Sequence, residues 1–349
     1  MTGPLLRLTR DQILRHRRTV GSLDARMPAG PESLRRAAWA GLQDSMPRAA
    51  LLSIHGRVAG AGPATWEDSS LVQLWGPRYS TYVVARTDVA VFTLGRLPDD
   101  ARGRQVAQGV AARLHAFLDG RRMTDREAGE ALAMNPNGLR YGAPTGTVLI
   151  RWEGARAPVV WTVPPPDVDP AEARLELARR YLHVFGPATA EAFAGWAGIG
   201  TRQGLAAFVA LESSMTRVRT PIGDAWILAE DEPTFRETAA PPASARLLPS
   251  GDAYYLLHGA DRELLVPEPD RRAELWTSRV WPGAVLVEGE IVGTWRRAGS
   301  VVTISSWRPF SAVEQEAIEA EASTLPVPGL DRPIRVHWDG SPRERSVDR

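Results

Sequence analysis

Gln43, Asp44 and Ser45 are the residues of this chain best suited by type and spacing to act on a substrate. They belong to the stretch Gly41-Leu42-Gln43-Asp44-Ser45-Met46-Pro47. In an extended backbone an amide and a hydroxyl two residues apart point to the same side, and the residue between them points to the other. Gln43 and Ser45 could then hold a water or a polar substrate atom together, with Asp44 facing away. The competing role is local. Asp and Ser are common helix caps, and Pro47 suits the first turn of a following helix. On that reading Ser45 above all is a cap.

The flanking segments must position this bend. Leu34, Ala38 and Leu42 form an apolar stripe at helical spacing, which predicts a helix over 31–42 opened by Pro31. A second helix is expected over 47–58. Upstream, Thr9 and Gln12 fit a capping box for a helix over 9–20. Downstream, a short helix is expected from Thr65 through Leu74, a strand over 78–85, and a helix from Thr87 to about Leu94. A long helix to Leu118 follows, with Val106, Val110, Leu114 and Phe117 on one face. Thr124 and Glu127 match a capping box for the next helix. A hairpin is expected over 147–152 and 158–163. Helices followed by a hairpin make a winged helix-turn-helix outline.

That outline recurs after Pro164-Pro165-Pro166, a stiff linker. Helices are expected over 170–184, 189–196 and 201–211, then β runs at 215–220 and 225–228. Residues 231–245 read as a linker. Beyond them β runs are expected at 253–258, 284–287, 290–295 and 300–305, then a helix at 311–322, a strand at 334–338 and a frayed tail from Gly340. The fold class is therefore α+β: tandem winged helix-turn-helix units with a C-terminal β-rich, barrel-like domain. The domain boundaries read 1–98, 99–166, 167–240 and 241–349. The helix after each turn would be the groove reader, although such units also pack protein against protein.

The chain has 349 residues and a formal net charge of +1. All 42 basic residues are Arg, the side chain that forks onto phosphate and stacks on bases; an Arg-biased genome also accounts for this. Twelve Trp suggest large cores or stacking surfaces. The absence of cysteine excludes disulfides and thiolate chemistry. Neither a membrane-length apolar run nor a signal peptide is evident, and a cytoplasmic monomer is expected. The six histidines show no metal-ligand spacing, no phosphate-loop motif appears, and no cofactor is expected.

Three stretches together resemble the AlkZ-like winged-helix DNA glycosylase family. One is Leu247-Leu248-Pro249 with Asp252 and Ala260-Asp261-Arg262. The second runs from Val285-Leu286-Val287-Glu288-Gly289 to Val292-Gly293-Thr294-Trp295-Arg296. The third is Tyr181 to Trp196 around Phe185-Gly186-Pro187-Ala188-Thr189. The resemblance extends over roughly residues 30–310. It implies tandem winged helices curved around duplex DNA, alkylated or crosslinked. It also implies hydrolysis of the N-glycosidic bond to an alkylated purine by two glutamines in a Gly-Leu-Gln-x-Gln bend. Here Gln43 matches the first glutamine, Ser45 stands at the second, and Asp44 replaces an apolar residue. A family Arg-Gly-Thr-x-His segment becomes Arg78-Tyr79-Ser80-Thr81-Tyr82.

The candidate catalytic residues are thus Gln43, Ser45 and Asp44. The candidate DNA contacts are Arg78, Arg202, Arg217 and Asp252, with Asp252 equally readable as a turn former after Ser250-Gly251. The expected function is DNA binding with glycosylase chemistry weakened, altered or lost. The alternative is a non-catalytic DNA-binding regulator or interaction module.

Overall fold

The structure, a computed structural model, describes residues 5–46, 48–154, 156–237, 241–330 and 332–339. Pro47 and the tail from Gly340 lie outside the described residues. Strand β1 (Leu6–Arg7) is followed by α1 (Arg10–Val20), capped by Thr9 with the expected Gln12 box. Next come α2 (Pro31–Ala37), β2 (Leu42–Gln43) and α3 (Ala49–Arg57). The helix expected to reach Leu42 stops early, because Gly41 turns the chain at φ 72° and Leu42 enters a ladder with Val83. Strands β3 (Leu71–Trp75) and β4 (Thr81–Ala85) form a hairpin. The helix expected through Leu74 is a correction: a 3-10 turn ends at Glu67, and Leu71–Trp75 is strand. All five of its residues are buried, which suits a strand covered on both faces better than an amphipathic helix.

After α4 (Val89–Thr93) the same order of elements returns. It runs through α5 (Ala101–Leu118), β5 (Met123–Thr124), α6 (Asp125–Ala131), a 3-10 stretch at Pro136–Thr145, β6 (Val148–Arg151) and β7 (Val159–Thr162). It returns again in α7 (Pro170–Phe185), α8 (Ala190–Ala197), α9 (Thr201–Leu211), β8 (Met215–Thr220) and β9 (Gly223–Leu228). In this third copy Ala188 bridges to Trp226, where the first two have a short strand. The small sheets run β2-β4-β3, β5-β7-β6 and β1-β8-β9. The third pairing departs from the expected boundaries: β1 lies parallel to β8, so the first residues belong with the third helical unit.

Helix α10 (Glu232–Arg236) falls inside the expected linker. The C-terminal part holds β10 (Ala245–Leu248), α11 (Asp261–Leu265), α12 (Pro269–Leu275), β11 (Gly283–Val287), β12 (Glu290–Ala298), β13 (Val301–Ser306), α13 (Ala312–Ser323) and β14 (Arg335–Asp339). Its five strands run β10-β11-β12-β13-β14 in an open sheet, so among the described residues there is no closed barrel. Ile318 and Ala322 of α13 pack on one face with Val285, Val287, Val302 and Ile304. The expected strand over 253–258 is instead a buried run of turns, because Asp252 gathers the chain around itself. Its backbone carbonyl accepts from the N–H groups of Tyr255 and Leu256, and its carboxylate accepts from Tyr254 N–H.

Asp252 also joins this turn run to the first unit. Its carboxylate takes both ends of the Arg57 guanidinium at 2.7 Å and the Ser53 hydroxyl at 2.7 Å. The two charged side chains are 4% and 0% exposed. Removing one member of so buried a pair leaves the other charge without solvent or partner, at a cost of about 3–5 kcal/mol. Asp252→Ala should therefore lower the urea midpoint by a loss of that size; a change within about 0.5 kcal/mol, as for an ordinary surface substitution, would contradict this assignment.

Candidate active site

The bend resolves into two faces, as strand alternation requires. Gln43 lies in β2 opposite Tyr82, half-buried, and its Nε2 donates to Ser45 Oγ at 3.0 Å. Its Oε1 is buried and has no hydrogen-bond partner among the described residues. Ser45 is exposed and caps no backbone N–H among the described residues. The capping role expected of it belongs to Asp44, whose Oδ1 accepts from Ala50 N–H at 3.0 Å. Asp44 Oδ2 accepts from Gln73 Nε2 at 2.8 Å. The assignment of Asp44 to the catalytic set is thus corrected: it is 0% exposed and turned inward.

Burial pushes the Asp44 carboxyl up to about 7, against the pull of the Ala50 and Gln73 hydrogen bonds and the Arg48 and Arg151 charges. The folded chain therefore holds this proton more tightly than the unfolded chain does. The contribution to stability is full below the ordinary Asp pKa of about 4 and is lost as pH rises through the folded value.

Gln43 and Ser45 open onto a cavity of about 350 Å³ shared with Met46, Arg78, Gly251, Leu256, His258, Arg279 and Trp281. The cavity lies between the first unit and the C-terminal part. Arg78 reaches it from the β3–β4 turn, where Arg78 and Tyr79 hold φ of 53° and 57°. Such left-handed backbone is costly for residues with a Cβ and is kept only where surroundings enforce it. Here the end of α8 does so: Gly198 lies so close that a Cβ there would stand 2.8 Å from Arg78 N. Gly251, at φ 76°, leaves room for the Gln43 amide; a Cβ at that position would stand 3.3 Å from Gln43 Oε1.

The charges around the cavity are of one sign. Arg78 and Arg279 line it, and Arg262 stands behind, its guanidinium 4.9 Å from the Trp276 ring and 5.3 Å from Trp281. Arg78 is hydrogen-bonded to His258 Nε2. Burial, then Arg78 and Arg262, hold His258 down at about 4, so its ring is neutral near pH 7. Among the described lining residues there is no carboxylate.

The remaining expected residues lie elsewhere. Asp252 is corrected as a DNA contact: it is 1% exposed, its oxygens are engaged by Arg57, Ser53 and Tyr254, and it supports Gly251 from behind. Arg202 is exposed on α9 beside the exposed Leu205 and Val209. Arg217 on β8 is exposed and ion-paired with Asp224 at 2.9 Å. Sequence reasoning missed Gly251, His258 and Gln73 as members of the site. Ser250-Gly251 carried only a turn signal, and His258 only a place among scattered histidines.

A family model described as DNA glycosylase AlkZ-like matches residues 36–325. The chain belongs to this AlkZ-like family. The interstrand DNA cross-link repair glycosylase of Streptomyces sahachiroi is 26% identical over 174 residues, which is 48% of this chain and 46% of that protein. The match thus spans about half the length of that curated relative. The solved structure of Streptomyces sahachiroi DNA glycosylase AlkZ superposes with a TM-score of 0.76 at 18% identity, covering 96% of this chain and 100% of that one. The fold is therefore AlkZ-like, mixed α and β, and among the described residues no helix is long and apolar enough to cross a membrane.

Asp44→Asn should flatten the decline in unfolding free energy between about pH 4 and 7, followed by urea titration at each pH. A wild-type slope retained in the variant would contradict the burial argument.

Proposed function

We propose that the protein is a DNA glycosylase that hydrolyses the N-glycosidic bond of cationic, alkylated purines in duplex DNA, crosslinked purines included. On this reading the three helix–hairpin units are winged helices, 21–98, 99–166 and 167–240. The first 20 residues complete the third, and 241–349 closes the site from the other side. The observation that carries the proposal is the Gln43 amide. Its carbonyl oxygen, packed against Gly251, has no partner among the described residues, and the side chain borders a cavity lined by Arg78 and Arg279.

The chemistry suits such a site. Alkylation at N7 or N3 makes the purine a cationic leaving group, so no acid is needed to protonate it. What remains is to place a water and to meet the positive charge that grows on the sugar. An amide carbonyl can do both when it is fixed beforehand and free of competing donors. Carboxylates serve oxocarbenium-like transition states in most glycoside hydrolases. Here Asp44 is turned away and the rim is cationic, which suits the phosphates on either side of a reacting nucleotide.

Arg78 is the phosphate contact nearest the reacting sugar. Arg202 and Arg217 contact the backbone farther out, with Arg217 leaving Asp224 for a phosphate. A non-catalytic regulator has no need to keep an amide carbonyl unpaired beside a carboxylate-free cavity, and the match to the family supports the enzyme over that alternative.

An abasic-site assay on a duplex carrying one 7-methylguanine should show product with the wild-type protein. Gln43→Ala should lower the single-turnover rate about 10²–10³-fold, the usual loss for one preorganised polar partner. Equal rates for the two proteins would overturn the assignment of Gln43.

A further inference from the structure

We propose that His258 is the general base of this site, its Nε2 taking the proton of the water that attacks the sugar C1′. The inference rests on the glycosylase reading above and adds a residue that the family resemblance does not supply. It begins from a deficit. The bend offers one amide, and Ser45 Oγ, at the second position, is already engaged by Gln43 Nε2 at 3.0 Å. Asp44, the carboxylate nearest in sequence, faces the interior. The site therefore needs another acceptor for the proton of the water.

His258 meets that need by position and by protonation state. It lines the same cavity as Gln43 and Ser45. Its hydrogen-bond partner is Arg78, and a guanidinium can only donate. Nε2 is therefore the accepting nitrogen, and the ring proton sits on Nδ1. The charged groups that face the ring are Arg78 and Arg262, which both favour the neutral form, and Arg279 stands on the cavity wall. Among the described residues that line the cavity, His258 is the one whose neutral side chain carries a basic nitrogen.

In the free protein Arg78 occupies the lone pair that catalysis needs. DNA removes it. A phosphate oxygen is charged and accepts two guanidinium N–H groups in parallel, so it outcompetes a neutral imidazole for Arg78. The same phosphates offset the arginine field and raise the proton affinity of the ring. Nε2 then faces the water. As the C1′–N bond breaks, its electron pair goes to the purine and cancels the positive charge that alkylation placed there. The water oxygen bonds to C1′, its proton passes to Nε2, and the products are a neutral alkylated base and an abasic sugar.

The test compares wild type, His258→Ala and His258→Gln on a 7-methylguanine duplex under single turnover, with melting temperatures and affinity for a duplex carrying a tetrahydrofuran abasic analogue. The expected result is a loss of about 10²-fold or more for His258→Ala, with duplex affinity kept and part of the rate restored by added imidazole in proportion to its neutral form. Retention of the wild-type rate, or a loss with intact binding that imidazole does not relieve, overturns the role. If His258→Ala does not fold, His258→Gln decides by its pH profile. Loss of the acid limb of the wild-type rate supports the base, and a limb that persists overturns it. A wild-type protein that forms no abasic sites overturns the glycosylase reading itself, and His258 as base with it. An active wild type with an unaffected His258→Ala overturns the base alone.

Discussion

The bidentate pair between Arg57 and Asp252 is the contact on which the geometry of the site depends. Both oxygens of the carboxylate meet the guanidinium at 2.7 Å, and neither side chain reaches solvent to any extent. Arg57 ends α3, the helix that follows the Gln43 bend. Asp252 heads the turn run that supplies Gly251 and His258. One ion pair thus sets the distance between two parts of the chain almost two hundred residues apart. Burying two charges gives little net stability. Its value here is selectivity, because few other registers of the two segments satisfy both charges and the Ser53 hydroxyl.

Around that anchor the sequence of neighbours follows from packing. Gly251 lies against the Gln43 amide, where a Cβ would press on that side chain at 3.3 Å and the backbone holds a φ of 76° that favours glycine. Tyr255 keeps the turn run compact, its hydroxyl 2.7 Å from the Pro249 carbonyl and 2.8 Å from that of Pro282. On the opposite wall the left-handed turn of Arg78 is held by the glycine that ends α8. Two regions distant in sequence therefore line one cavity, the first unit and the C-terminal part, and the third unit braces the Arg78 wall through the end of α8. Chemistry at such a junction depends on how these regions seat against one another as much as on any single residue. Among the described cavity-lining residues the absence of acid and the presence of arginine suit it to an anionic ligand, such as the backbone of the proposed DNA substrate.

Much of this architecture was legible in the residues themselves. Thr9 and Thr124 mark helix starts that the structure keeps, because a side-chain cap is a local bond between near neighbours. The two faces of the Gln43 bend followed from strand alternation alone. The failures share a cause in long-range packing. Leu71 to Leu74 reads as helix because a wholly buried strand has no polar face to betray its period. The run 253–258 reads as strand because its apolar side chains are there to be buried, whereas the carboxylate and backbone carbonyl of Asp252 draw it into tight turns. Asp44 displaced Ser45 as the cap because the strand aims it at Ala50 from outside the helix. His258 could not be found from spacing, since its partner Arg78 is 180 positions away.

A duplex carrying a cationic 1-azaribose in place of one nucleoside mimics the charged sugar of the transition state. Its affinity, measured beside that of the neutral tetrahydrofuran analogue, tests the account most directly. The account predicts tighter binding of the cationic duplex by the wild-type protein, an advantage reduced in Gln43→Ala, and a shift of the Gln43 side-chain amide resonance on binding. Equal affinity for the two duplexes, with an amide that does not move, would contradict it.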